Sequence, residues 1–147
     1  MTLSGRAEAR TGPLNGAYIT LSGYAQAFIG NESGPFSITV SDHSKVRTGT
    51  VHGQLSINAR DHAEVIVACL FEGPVSVNSL DHSVVDIKNG STAILSLNTS
   101  GQSKADFDGR SQTASLNASD HSNINVRRVE SHRKINVTMH ANVNVGN

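Results

Sequence analysis

The sequence has no tryptophan, two tyrosines and four phenylalanines among 147 residues. That scarcity removes the usual stacking platforms for sugars and bases. A single cysteine, Cys69, excludes an internal disulfide framework and leaves the redox compartment open. In its run ACLFEG it reads as a semi-buried packing residue rather than a nucleophile. Net charge is also missing, with 12 Lys plus Arg against 12 Asp plus Glu. A phosphate backbone needs clustered basic residues, so nucleic acid is not an expected partner. The one basic cluster, Arg127, Arg128, Arg133 and Lys134, reads as a solvated turn. No apolar run is long enough to span a bilayer, and no charged-then-apolar leader opens the chain, so membrane insertion is not expected. These features suit a soluble molecule, a mature product or a piece of something longer. The compartment stays open.

What is present is a repeat. The stretch 55–67, LSINARDHAEVIV, returns as FSITVSDHSKVRT from Phe36, VSVNSLDHSVVDI from Val75 and ASLNASDHSNINV from Ala114. The same frame without the Asp-His pair fits the chain from Ala17, Leu95 and Lys134, with a truncated copy at the start. The position of Asp61 then recurs as Gly5, Gly23, Asp42, Asp61, Asp81, Gly101, Asp120 and Met139. Periods near 20 residues mark a solenoid. One domain, 1–147, built of repeats centred on those eight positions, accounts for the length.

Inside a repeat, apolar residues alternate. Leu55, Ile57 and Ala59 precede the Asp-His step, and Ala63, Val65 and Val67 follow it on the same parity. Alternation in a stretch rich in Val, Ile, Thr and Leu is strand period, and no segment carries helical spacing. Thirteen extended residues would run roughly 43 Å, so the chain must bend once within the motif. The Asp/Gly column is the natural bend, because both residue types tolerate φ > 0. Met139 departs from that rule. The remaining six or seven residues carry Gly and Pro and read as a return loop. The expected fold is therefore all-β: a single-stranded parallel β-helix of seven to eight coils, essentially without helix, about 36 Å long at ~4.8 Å per coil. Absence of the left-handed hexapeptide signature favours right-handed winding. Small inward residues imply close walls and no ligand cavity.

Stacking turns every position into a stripe. One outward stripe is Thr20, Thr39, Asn58, Asn78, Asn98, Asn117 and Asn136, whose side chains can hydrogen-bond up the stack. A glycan-facing surface is the lesser reading of it. A second stripe contains His43, His62, His82 and His121, interrupted by Gln102. Imidazole beside carboxylate suits metal ions, and these four are the candidate ligands. Stacked rings lie along a line rather than converging, so solvated histidines are the expected reading. The aspartates could serve acid–base chemistry, but even repetition at bends is what turn duty requires. No nucleophile–base set or phosphate-cradling loop stands out. Neither catalysis nor a cofactor is expected.

In Leu3-Ser4-Gly5-Arg6-Ala7, Leu21-Ser22-Gly23-Tyr24-Ala25 and Ser100-Gly101-Gln102-Ser103 the chain resembles the autotransporter-adhesin head domain often called the GIN domain. The spacing match covers nearly the whole chain, although four coils replace the Gly-centred step by Asp-His. That resemblance implies a β-helix serving as a non-catalytic bacterial surface or adhesive module. Residues 49–55, GTVHGQL, are similar to the coils of bactofilins, which polymerise into filaments, and phage fibre and spike solenoids use comparable repeats. The repeat fills the sequence from Leu3 to Val145, so polar end caps are not expected. Open ends would pair with another copy, a neighbouring subunit or a further domain.

Overall fold

The computed structural model describes residues 1–146, and no helix occurs among them. Fourteen strands join in one sheet that winds about eight times around a narrow interior, forming a β-solenoid. Every strand pairing is parallel.

The coil that begins at Leu55 shows how the pattern makes the fold. Leu55, Ile57 and Ala59 of strand Leu55–Ala59 point inward, as do Ala63, Val65 and Val67 beyond the bend. All six are at most 2% exposed. The alternation then slips by one, because Ala68 is exposed and the next inward residue is Leu70. That slip is a corner within strand Glu64–Phe71. Residues 64–67 pair on one side of it, and 69–71 pair on the other. The section is therefore three-sided, and the stretch expected to be a return loop contains a short third strand. Its alternation covers too few residues to be seen against the Gly and Pro around it. Burying Leu55, Ile57, Val65, Val67 and Leu70 stabilises one coil by roughly 1.5–3 kcal/mol per side chain.

The register shows where the period drifts. Between the first and second faces every coil spends four residues: 22–25 pairs with 41–44, 41–44 with 60–63, and so on to 138–141. The other corners vary. From the end of the second face to the third-face column of His52 and Phe71, the early coils spend three residues, 49–51 and 68–70. The coil at 88–90 also uses three, the next uses two (108–109), and the one after uses one (127). The invariant bend explains why its column was visible in the sequence.

All eight bend residues have φ between +51° and +76°, including Met139 at +52°. The turns are nonetheless of two kinds. At Asp42 and Asp61 only the first central residue has positive φ, the pattern of a type II′ turn. From Asp81 onward the second does too (His82, Gln102, His121 and His140), which is type I′. The bend hydrogen bonds reverse accordingly. The His62 N–H donates back to the Asp42 carbonyl, whereas the His82 N–H donates forward to Gly101. Behind the bends, buried Ser83, Ser103 and Ser122 donate to the carbonyls of Ala59, Ser79 and Thr99. A small hydroxyl is thus satisfied in the core without widening it.

Candidate functional site

Three outward features carry chemistry: a ring column, an amide ladder and a cleft. The ring column grows from the bend. Tyr24 stacks on His43 at 5.1 Å, His43 on His62 at 4.9 Å, and His62 on His82 at 5.1 Å. Gln102 breaks the series, and His121 resumes it with His140 at 5.3 Å. All these rings are exposed. Among the described residues no group of three or more His, Cys, Asp or Glu is placed to hold a metal ion. The candidate ligands His43, His62 and His82 are brought together as a stack of nearly parallel rings, and His121 lies apart from them against His140.

The bend aspartates Asp42, Asp61, Asp81 and Asp120 stand in the column beside the rings. Asp42 Oδ2 accepts the Gly23 N–H at 2.9 Å and the Ser41 hydroxyl at 3.2 Å. The Gly23 bond holds its carboxyl below the usual range, helped by the Ser41 hydroxyl. Asp120 accepts from Ser119 in the same manner. Asp42 and Asp120 are thus engaged with their own turns or the coil below, whereas Asp61 and Asp81 form no side-chain hydrogen bond among the described residues.

The amide ladder occupies the first face. Asn78 donates to Asn58 at 2.9 Å, Asn98 to Asn78 at 3.0 Å, Asn117 to Asn98 at 2.7 Å and Asn136 to Asn117 at 2.7 Å. Thr20 and Thr39 occupy the same column but form no side-chain hydrogen bond among the described residues. Parallel in-register stacking sets the amides one coil apart, the spacing at which each can reach the next. A second ladder, Asp106–Asn125–Asn144, runs up the second face at 2.6 and 3.1 Å. Sequence reasoning missed it. Its signal was the repeated Asn three residues after the buried serine column, diluted by unrelated residues in the earlier coils.

The cleft was not foreseen. It lies where the corner shortens and has a volume of about 550 Å³. Phe71, Ser91, Asp108, Arg110, Arg127 and Arg128 stand around it. Arg127 and Arg128, read from sequence as a solvated turn, are exposed at its edge, with Arg127 paired to Asp108 at 3.1 Å. Cys69, half-buried, pairs in register with Thr50. No protein-family model, curated protein or solved structure matches the chain.

Proposed function

We propose that the chain is a non-catalytic structural or adhesive β-solenoid module of a surface or multi-subunit assembly, joined to its neighbour through a coil end. The carrying observation is the last coil. Ile135 and Val137 are 40% and 45% exposed, whereas the residues they stack on, Leu116 and Ala118, are 0% and 3% exposed. A solenoid gains stability from each coil-to-coil interface, so an uncovered coil of core chemistry is a surface that favours one more. The strand edge beside it favours pairing for the same reason. The Asp42 and Asp120 carboxylates, which serve their own turns, and rings that stack rather than converge support the non-catalytic part of the reading.

Among the resembling families, a surface module of the GIN type is the reading we favour. A filament of the bactofilin kind, or a phage fibre or decoration component, is the second, and column chemistry favours it specifically. Continuing the register head to tail would set Val137 on Leu3, Val143 on Ala9 and Asn136 beside Thr2, apolar on apolar and polar on polar. Light scattering after size exclusion, with negative-stain microscopy, tests the reading. End-to-end dimers or filaments that disappear in Ile135→Glu/Val137→Glu are expected. A strictly monomeric species at high concentration would overturn it.

A further inference from the structure

The third face carries one column with an unusual order. His52, Phe71, Ser91, Arg110 and Arg128 stand in register on successive coils. His52 and Phe71 stack at 5.4 Å, and Phe71 is 46% exposed. Ser91 is short, so one coil of open space separates the phenyl ring from the first guanidinium. Arg110 and Arg128 are neighbours in register, and neither has a carboxylate within ion-pair distance among the described residues. Two like charges one coil apart repel, and only an anion placed between them turns that cost into attraction.

The corner beside this column is where the solenoid contracts. Between the second face and this column, three residues (88–90) become two (108–109) and then one (127), so the path to the column shortens coil by coil. The floor is glycine for packing reasons. A Cβ on Gly90 would meet the Leu70 carbonyl at 2.3 Å, and one on Gly109 would meet the Gly90 carbonyl at 2.5 Å. No side chain therefore fills the cleft, whose 550 Å³ lies within the usual range for small-ligand sites.

We propose that this cleft binds an acidic sugar, with its carboxylate or sulfate held by Arg110 and Arg128 and its ring lying against Phe71. From Phe71 to Arg110 is two coil steps, roughly 10 Å, which suits one sugar ring and its charged substituent. Guanidinium forks match the geometry of such oxyanions. A nucleic acid is the poorer occupant. Asp108 neutralises Arg127, and Glu72 and Glu130 line the adjoining cleft on the far side of Arg110. A polyanion tracking across the face would meet all of those carboxylates, whereas a single acidic ring would lie beside Asp108 alone, which is paired to Arg127. The site is independent of the coil-end assembly and stands or falls without it.

Titration calorimetry on the intact chain tests this with four probes: galacturonate, galactose 6-sulfate, neutral galactose and a short single-stranded DNA. At least one acidic sugar should bind, and galactose and DNA should not. Arg110→Ser/Arg128→Ser should weaken binding about 10-fold or more, and Phe71→Ser should weaken it by a smaller factor. Arg47→Ser, on the second face, should leave it unchanged. All four substituted side chains are exposed, and an unaltered Tm in each variant would show the fold intact. Binding of the carboxylated sugar alone, the sulfated one alone, or both identifies the source of the oxyanion and supports the site. Failure of both to bind at millimolar concentration would overturn it. So would affinity unchanged in the double arginine variant, or DNA binding as tight as the sugar.

Discussion

Replacing Glu32 by leucine should stabilise the protein, and the gain should grow with pH. Glu32 is 1% exposed and stands in the inward column of Leu14, Val51 and Leu70. Neither carboxylate oxygen has a hydrogen-bond partner, and the hydroxyls of Thr11 and Thr48 are likewise unpartnered. Burial pushes the carboxyl above its ordinary 4.5; the Gly16 N–H, approaching without reaching hydrogen-bond geometry, opposes this only in part. A folded-state value raised in this way means the native state holds its proton more tightly than the unfolded chain. The fold therefore bears no ionic cost below pH 4.5 and loses stability as pH rises from there through the folded value. An unsatisfied buried polar group costs about 1–3 kcal/mol, and burying leucine gains about 1.5–3 kcal/mol. Less about 1 kcal/mol for side-chain ordering and imperfect fit, the net at pH 7 is roughly 2–4 kcal/mol. That corresponds to a rise in Tm on the order of 10 °C. Urea denaturation at pH 4, 5.5 and 7 would measure it. Glu32→Gln isolates the charge: it should match wild type at pH 4 and exceed it at pH 7. A leucine variant less stable than wild type at pH 7, or a glutamine variant whose advantage does not grow with pH, would refute the reasoning.

Two further substitutions probe the repeat itself. Asn98→Ala removes two ladder bonds, to Asn78 and from Asn117, and should cost about 1–2 kcal/mol in urea denaturation, against about half that for Asn136→Ala, which removes one. Equal losses would show that the ladder contributes nothing. Asp61→Gly should stabilise by about 1 kcal/mol, because the first position of a type II′ turn is a glycine position, whereas Asp81→Gly, in a type I′ turn, should be neutral or slightly destabilising. Thermal melts that rank the two the other way would falsify the turn assignment.

The coil architecture was legible because the bend is invariant. With four residues in every coil, it held Gly5, Gly23, Asp42 and the rest in phase long enough to be recognised. The Asn ladder was legible for the same reason, since Asn58 to Asn136 ride on a strand anchored to that bend. Phe71, Arg110 and Arg128 were not. They are connected by a register that passes through corners of changing length, so spacing in sequence does not align them. Glu32 was hidden in the same way, placed inward by a third strand of two or three residues whose alternation is too brief to detect. The change of turn type was hidden differently. Asp61-His62 and Asp81-His82 are the same dipeptide, and only the orientation of the central peptide distinguishes them.

That reversal and the shortened corner bear on where a repeat fold can hold a site. While coils repeat faithfully, identical residues lie in lines, and a line of aspartates or imidazoles offers no convergence. Convergence requires the repeat to fail. The bend ladder fails once, between Asp61 and Asp81, where hydrogen bonds point away in both directions and neither carbonyl accepts a backbone N–H. The bend keeps its length there and opens no space. The second-to-third corner fails by losing residues, and lost residues leave volume. This second failure brings Phe71, Asp108 and three of the chain's arginines, from different coils, around a common cleft.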